Sequence, residues 1–156
     1  MKLYILRHGE AEPQAGSDAE RRLTPRGRAG VRAVAEAAAA RLAGLQAVVC
    51  SPYQRTRQTA AEFMRVLHFT GDFAVEPALA PGARVGGVVA FAEHSGFETL
   101  LLVSHQPLVG DLLDYLTDAD GLAPMAPMAP GHLVALEVTA LGRGGARLQW
   151  REQPPD

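Results

Sequence analysis

The sequence predicts an α/β fold, a three-layer α/β/α sandwich whose mostly parallel central sheet has an antiparallel edge. Three short apolar runs, within residues 2–9, 45–50 and 99–104, have the pattern of strands buried on both faces. Segments with helical periodicity lie between these runs, and this alternation favours parallel strands joined by helical crossovers. Two alternating segments, around 133–139 and 146–150, are separated by glycines and predict an antiparallel hairpin at the sheet edge.

Length and charge limit the possible classes of protein. The 156 residues are expected to form a single domain, 1–156, which can bury its core without disulfides or metals. A net charge of −2 argues against nucleic acid or a membrane surface as the main partner, so any basic site must be local. Cys50 has no second cysteine to pair with, and no apolar stretch reaches about 18 residues. We therefore expect a soluble, cytoplasmic protein.

The first predicted helix has clear start and stop signals. Residues 10–23 show no periodicity and are predicted to form a loop. Thr24 is a good N-cap, and the following Pro25 suits the first helical position. An apolar stripe over 31–42 continues the helix, which is expected to end at Gly44.

Two further helices are predicted to start with a proline. Ser51 and Pro52 follow the second buried strand, and the same combination of cap and proline predicts a helix that runs to about Leu67. Pro107 follows the third buried strand and is predicted to start a helix through Leu116. Two of the three buried strands therefore lead directly into helices.

The patterns between and after these elements are weaker. A short strand is predicted near Phe73–Val75, and spaced apolar residues from Val85 onward suggest another helix, which two glycines weaken. Residues 118–131 are predicted to be loop. Their Met125–Met128 stretch is expected to be either disordered or an adaptable rim for a protein partner.

Polar side chains stand at the carboxyl ends of the three buried strands. These ends carry Arg7 with His8, Ser51, and His105. Right-handed crossovers place all three ends at the same edge of the sheet. Arg55, in the first turn of the second helix, is expected near that edge. Two arginines, two histidines and a helix N-terminus together predict a pocket for a dianion.

These residue types suit phosphoryl transfer. Arginine binds phosphate oxygens through two parallel hydrogen bonds and keeps its charge, so two arginines can replace the cation that many phosphotransfer enzymes take from Mg²⁺. No acidic cluster has metal-ligand spacing, so we expect neither a metal nor a cofactor. A neutral histidine with one ring nitrogen fixed as a donor presents the other as a nucleophile. Its attack on phosphorus would give a phosphohistidine that water then hydrolyses.

Three neighbouring residues are given supporting roles. Gly9 directly follows His8 and is expected to let the backbone approach phosphate and imidazole closely. Gln58 and Thr59 lie one turn beyond Arg55 on the same helix face. They either support that arginine through hydrogen bonds or simply pack.

The motifs resemble those of a known family. They are Arg7-His8-Gly9, Leu23-Thr24 with Gly27, Ser51-Pro52 with Arg55, Gln58 and Thr59, and Ser104-His105-x-Pro107-Leu108-Val109-Gly110. In this order, over about residues 1–150, they resemble the histidine phosphatase (phosphoglycerate mutase-like) superfamily. The last two motifs, the short chain and the order of elements resemble its SixA-type phosphohistidine phosphatase branch.

The resemblance implies roles for individual residues. It implies His8 as the nucleophile, Arg7 and Arg55 as phosphate clamps, and His105 as a further donor to the phosphoryl oxygens. It also implies a three-layer α/β fold. Larger relatives have a helical lid over the site, but the segment between the second helix and the third long strand is too short for one. The expected result is an open groove that admits protein surfaces.

One departure from the family pattern concerns the general acid. Many superfamily members carry an acidic proton donor where this chain has Ala78, and Glu76 lies two residues earlier as a candidate acid. A phosphohistidine leaves as imidazole, whose pKa of ~6.5 is far below that of an alkoxide, so it needs little help. A missing acid therefore favours N–P over O–P substrates. Arg21 or Arg22 either contacts substrate or is a solvated loop charge.

The predicted function is a metal-independent phosphatase that removes phosphate from phosphohistidine in a protein, through a covalent intermediate on His8. One alternative is a phosphatase of a small phosphate monoester. Another is a non-catalytic phosphoprotein-binding module, although binding alone does not need a nucleophile. The expected partner is thus a phosphorylated protein or a small phosphorylated metabolite, with no role for nucleic acid or a membrane.

Overall fold

The structure, a computed structural model, describes residues 1–118 and 127–156. The strands are β1 (Lys2–Arg7), β2 (Ala47–Cys50), β3 (Asp72–Val75), β4 (Thr99–Ser104), β5 (Leu133–Val138) and β6 (Ala146–Glu152). The α-helices are α1 (Pro25–Ala38), α2 (Gln54–Val66), α3 (Val85–Ser95) and α4 (Leu108–Thr117). Short 3₁₀ turns occupy Asp18–Glu20, Ala39–Leu42 and Pro77–Leu79.

The strands form one sheet in the order β3-β2-β4-β1-β5-β6. The first four strands of this order pair in parallel, whereas β5 pairs antiparallel with β1 and β6 pairs antiparallel with β5. The predicted parallel sheet with an antiparallel hairpin at its edge is therefore confirmed. The crossover helices that parallel pairing requires are α1 to α3.

Strand register brings the predicted site residues to one edge. In the β1–β4 pair, Arg7 lies opposite Ser104, and in the β2–β4 pair Cys50 lies opposite Val103. The carboxyl ends of these three parallel strands are therefore level. His8 leaves one of these ends, and its N–H donates to the carbonyl of Ser104 at 3.0 Å, which ties it to β4.

Each face of the sheet packs against its own pair of helices. Successive strand residues point to opposite faces, so Ile5 packs with α3 and α4 while Leu6 packs with α1 and α2. Leu101 and Leu102 divide in the same way on β4, and both are almost fully buried. Burial on both faces explains why the strands have continuous apolar sequences, and it confirms the three-layer sandwich.

The helix starts were predicted with mixed success. Thr24 caps α1 as predicted, because its hydroxyl accepts the Gly27 N–H at 2.9 Å. The predicted start of α2 at Ser51 is wrong, because the helix begins at Gln54 with Tyr53 as its N-cap. The Ser51 hydroxyl accepts the Tyr53 N–H at 3.2 Å and also contacts Nε2 of His105. The fourth helix begins one residue later than predicted, with Pro107 as its N-cap.

The described helices form no lid over the carboxyl edge. Between α2 and β4 the chain contains only β3, a 3₁₀ turn and α3. The helix α3 buries Val88 and Ala92 in the core on one face of the sheet. Over residues 1–118 and 127–156, no helix is long and apolar enough to cross a bilayer.

Residues 118–131 are predicted to be loop, and 119–126, which include Met125, lie outside the described residues. Met128, however, is only 2% exposed and belongs to the core formed with α3 and α4. The prediction of a disordered or rim residue is wrong for Met128, because its apolar side chain is buried in that core.

We predict that Gly27→Ala destabilises the protein although the residue lies inside a helix. A Cβ at Gly27 would lie 2.1 Å from the backbone oxygen of Glu10, so the loop after β1 would have to move. Overpacking of this kind should lower the free energy of unfolding by ~1–3 kcal/mol. Urea denaturation measures the change.

The matched control is Gly86→Ala in α3, where a Cβ meets open space. This change should raise the free energy of unfolding by ~0.4–1 kcal/mol, because alanine restricts the unfolded chain. If both alanine variants were stabilised, the close contact at Gly27 would be refuted.

Candidate active site

The ring of His8 is held in one tautomer. Its Nδ1 lies 2.7 Å from the carbonyl oxygen of Gly9, and a carbonyl can only accept. The proton of the neutral ring therefore resides on Nδ1, and Nε2 keeps its lone pair. The residue is 7% exposed, so the ring is buried and retains a small opening to solvent. This arrangement presents Nε2 as a nucleophile.

Gly9 lacks a side chain because α1 passes close by. A Cβ there would lie 2.6 Å from Cγ2 of Val31 and 3.0 Å from the carbonyl oxygen of Gly27. The N–H of Gly9 donates to the hydroxyl of Thr59 at 3.1 Å. The structural reason for glycine is thus the approach of a helix, which differs from the predicted approach of backbone to phosphate.

Gln58 and Thr59 fasten two loops to α2. The side-chain oxygen of Gln58 accepts the N–H of Leu23 at 2.8 Å. The hydroxyl of Thr59 donates to the Arg55 carbonyl at 2.8 Å while it accepts from Gly9. Of the two predicted alternatives, hydrogen bonding is correct, but its targets are the backbone of the two loops and the carbonyl of Arg55, and not the guanidinium of Arg55.

The ring of His105 is fixed by a buried hydroxyl pair. Its Nε2 lies 2.7 Å from Oγ of Ser51, which is itself 2.7 Å from Oγ1 of Thr56. The threonine hydroxyl donates to the carbonyls of Ser51 and Tyr53, at 3.0 and 2.8 Å. Thr56 has a single hydroxyl proton; when this proton lies on one of the two carbonyls, the serine donates to Thr56 and Nε2 of His105 donates to the serine. Nδ1 of His105 is buried without a partner among the described residues.

The two imidazoles lie side by side and are both neutral. The ring centroids of His8 and His105 are 5.3 Å apart, with the planes tilted by 58°. Burial, together with the cations of Arg55 and Arg7, lowers the pKa of His8 to about 4, although the hydrogen bond to Gly9 opposes the shift. Burial, followed by the charges of His8 and Arg55, lowers the pKa of His105 to about 3.

Arg55 is buried under the 3₁₀ turn of the first loop. It is 5% exposed, its Nη1 donates to the Asp18 carbonyl at 2.8 Å, and its Nη2 donates to the Asp18 carboxylate at 3.2 Å. Its guanidinium carbon lies 5.0 Å from the ring centroid of Tyr53. Nε of Arg55 is buried without a partner in the described ranges.

Arg7 brings a second guanidinium to the same edge. Its Nη1 donates to the Met128 carbonyl at 2.8 Å, and its Nε is buried with no described partner. Burial and the nearby cation of Arg55 lower the pKa of Arg7. Two guanidiniums that repel each other favour an anion between them, which is the arrangement the sequence predicts.

Arg21 and Asp18 complete the charges at the mouth. Arg21 donates from Nη1 to Oδ1 of Asp18 at 3.0 Å and from Nε to the Glu12 carbonyl at 2.6 Å. Its cation also lowers the pKa of His8, so it lies near the site, as the prediction of a substrate contact requires. Sequence reasoning missed Asp18, because no pattern distinguishes it from the other acidic residues of this loop.

Glu76 has no partner at the site. Its N–H donates to the Cys50 carbonyl at 2.8 Å, and its carboxylate makes no hydrogen bond or ion pair with a described residue. It follows β3, which is three strands away from β1, so its backbone is roughly 14 Å from that strand. Its role as a general acid stays a prediction.

The cations of the site are side chains of the protein. In the described part of the chain, no group of three or more His, Cys, Asp or Glu side chains is arranged to hold a metal ion. The positive charge instead comes from Arg7, Arg55 and Arg21, which surround two neutral imidazoles. This arrangement can bind a tetrahedral anion and present a nitrogen lone pair to it.

Comparisons with known proteins agree with this geometry. A family model described as "Histidine phosphatase superfamily (branch 1)" matches residues 3–80. The phosphohistidine phosphatase SixA of Escherichia coli (strain K12) is 32% identical over 99% of this chain and 94% of its own length. The chain belongs to the histidine phosphatase superfamily. The predicted resemblance to the SixA branch is thereby confirmed.

Other superfamily members extend the match. A SixA homolog of Haemophilus influenzae is 29% identical, covering 72% of this chain and 75% of the homolog. The solved structure of the protein histidine phosphatase SixA complexed with tungstate superposes with a TM-score of 0.86 at 29% identity, over 99% of this chain and 97% of that one. The superfamily fold therefore extends beyond residue 80 to the hairpin.

We predict that the free energy of unfolding falls as the pH is lowered from about 6.5 towards 4. The folded protein keeps His8 and His105 neutral, with pKa values of about 4 and about 3, whereas the unfolded chain protonates them near 6.5. The unfolded state then binds more protons, and each histidine contributes up to about 1.4 kcal/mol per pH unit to the decline.

Urea denaturation at several pH values measures this slope. His105→Gln should flatten it, because this change removes one of the groups that take up a proton on unfolding; His132, whose pKa burial also lowers, is another. The exposed His94 serves as control, since His94→Gln should leave the slope unchanged. Equal slopes in wild type and His105→Gln would contradict a neutral, buried His105.

Proposed function

We propose that this histidine phosphatase superfamily member is a metal-independent phosphohistidine phosphatase that acts on a phosphorylated protein. The observation that carries the proposal is the fixed tautomer of His8, whose ring is near enough to the guanidiniums of Arg55 and Arg7 for their charges to lower its pKa. Catalytic roles for His8, Arg7, Arg55 and His105 follow from that arrangement and are part of the proposal.

In the first step the phosphoryl group lies between Arg7 and Arg55, and Nε2 of His8 attacks phosphorus. The new N–P bond forms as the bond to the substrate nitrogen breaks, and the electron pair of that bond goes to the substrate ring. Because the other nitrogen of this ring is protonated, the ring leaves as neutral imidazole. The proton stays on Nδ1 of His8 and remains hydrogen-bonded to the Gly9 carbonyl, which offsets the positive charge that develops on the ring.

His105 contributes through its free Nδ1. In the neutral ring this nitrogen carries a lone pair, because the proton lies on Nε2, which faces Ser51. A bound phosphoryl group brings negative charge next to the ring, which favours protonation of Nδ1. The imidazolium then donates a charge-assisted hydrogen bond to a phosphoryl oxygen.

In the second step water attacks the phosphorus of the phosphorylated His8. A P–O bond forms, the P–N bond breaks, and the electron pair returns to Nε2. The water gives up its proton to phosphate or solvent, and inorganic phosphate leaves. The enzyme returns to the neutral tautomer with which it began.

The chemistry of the leaving group supports an N–P substrate. Ala78 stands where a proton donor was expected, and the carboxylate of Glu76 has no described partner. A departing imidazole needs little protonation, whereas an alkoxide needs much. The relative named phosphohistidine phosphatase SixA supports the same class, and the SixA structure complexed with tungstate shows that relative with a tetrahedral oxyanion.

A protein partner and a cytoplasmic location belong to the same proposal. The carboxyl edge has no helical lid among the described residues, so a protein surface can reach it. Cys50 is buried and free, which is compatible with a reducing compartment. The net charge of −2 supports neither nucleic acid nor a membrane surface as the partner.

The proposal predicts selective turnover of N–P substrates. A phosphohistidine peptide should be hydrolysed with a kcat/KM at least ~10-fold above that of an alkyl phosphate monoester, and wild type should give an acid-labile, alkali-stable phosphoenzyme after rapid quenching. His8→Ala should lose both signals, whereas the exposed His94→Ala should keep them. Equal turnover of the alkyl ester, or a phosphoenzyme that persists in His8→Ala, would refute the proposal.

Arg55→Ala should lower kcat/KM at least ~10-fold, because each lost charge-assisted hydrogen bond to phosphate is worth ~1.5–3 kcal/mol. The matched control is Arg65→Ala, which removes an exposed arginine near the other end of α2. Steady-state kinetics on the phosphohistidine peptide provide the measurement. A rate unaffected by Arg55→Ala would show that this guanidinium does not hold the phosphate.

A further inference from the structure

Asp18 joins Arg21 and Arg55 at the exposed side of the phosphate site. One carboxylate oxygen accepts from Arg21 at 3.0 Å, and the other accepts from Arg55 at 3.2 Å. The side chain of Asp18 is 56% exposed, whereas that of Arg55 is 6% exposed. The carboxylate of Asp18 lies 3.2 Å from Nη2 of Arg55, so a phosphoryl group bound to Arg55 lies close to this carboxylate.

The carboxylate is an anion at the entrance of an anion site. The hydrogen bond from Arg21 and the cation of Arg55 hold the pKa of the Asp18 carboxyl below its ordinary value. Its negative charge opposes the approach of any phosphate. Holding Arg55 in place does not by itself require the carboxylate, because the backbone carbonyl of Asp18 already accepts from Nη1 at 2.8 Å.

The charges of the site are complementary to those of a phosphohistidine, from the buried end of the site outward. From the floor outward the site has guanidiniums and then a carboxylate. A phosphohistidine has a phosphoryl anion and, behind it, an imidazole ring whose second nitrogen can be protonated. When the phosphoryl group is bound to Arg55, the protonated ring nitrogen would lie beside the carboxylate of Asp18. A neutral or anionic group at that place would gain nothing from the carboxylate or be repelled by it.

We propose that the carboxylate of Asp18 is a specificity determinant that binds the protonated ring nitrogen of the departing imidazole, so that the site selects phosphoryl groups with an adjoining cation. This inference rests on the function proposed above and names the feature of the substrate that the site reads.

The proton and charge balance of the first step fits this role. The ring nitrogen held by Asp18 keeps its proton while the other ring nitrogen receives the electron pair of the breaking P–N bond. The imidazole therefore leaves as a neutral molecule. Its attraction to the carboxylate falls as the bond breaks, which favours release of the product.

Asp18→Asn tests the role while keeping a side chain of the same shape. We expect kcat/KM for a phosphohistidine peptide to fall at least ~10-fold and kcat/KM for phenyl phosphate not to fall. Glu20→Gln is the matched control, since it removes an exposed carboxylate from the same turn that contacts Ser17 and no arginine. Equal losses on both substrates would show that Asp18 only positions Arg55, and no loss would show that it is uninvolved. Either result overturns the proposal.

Binding of small esters gives a second measurement that does not depend on phosphohistidine turnover. Phosphoethanolamine, propyl phosphate and phosphoglycolate are similar in size and carry a cationic, a neutral and an anionic tail. Calorimetry should show binding in that order, with at least ~10-fold between the first and the last. Loss of this order in wild type, or its persistence in Asp18→Asn, would overturn the inference.

The two measurements separate this inference from the function on which it rests. If the esters bind in the expected order and the phosphohistidine peptide is not hydrolysed, the proposed function fails and the preference for an adjoining cation stands. If the peptide is hydrolysed and the esters bind equally, the function stands and the role of Asp18 is refuted.

Discussion

The parallel pairing of β1 with β4 is the constraint on which the site depends. Its register sets Arg7 opposite Ser104, so the residues that follow them, His8 and His105, leave the sheet side by side. The resulting 5.3 Å between ring centroids requires no long-range adjustment of either loop. A one-residue slip would turn the side chains of β1 to the opposite face and separate the imidazoles. The core that fixes this register is thus also what positions the nucleophile.

Burial and charge have separate tasks at this edge. Burial keeps the two histidines neutral, so that Nε2 of His8 retains its lone pair at pH values where an exposed histidine would be protonated. The arginines supply the positive charge, and their guanidiniums remain cationic even when buried. Three buried nitrogens without a described partner, Nε of Arg7, Nε of Arg55 and Nδ1 of His105, cluster here. Buried polar atoms are nearly always satisfied in folded proteins, and a bound oxyanion would accept from all three once His105 is protonated.

The elements were predictable where local chemistry decides them, and were missed where a distant residue competes. Thr24 caps α1 as its sequence suggests, since the hydroxyl and the Gly27 N–H are neighbours along the chain. Ser51 offers the same capping signal, but its hydroxyl is bonded to His105, which lies 54 residues away, and α2 starts later. Met128 lies in a loop, as predicted, but its side chain belongs to the core, because the residues that bury it come from other elements.

The sequence by itself determined the sandwich, the succession of strands and helices along the chain, and the placement of Arg7, His8, Arg55 and His105 at one edge. Periodicity and residue type are local properties, and parallel strands bring their ends together by geometry. Only the tertiary structure decided which ring nitrogens carry protons and which carboxylate lies beside Arg55. The bond between Asp18 and Arg55 joins residues 37 positions apart through an irregular loop, and no short-range pattern encodes where such a loop folds back.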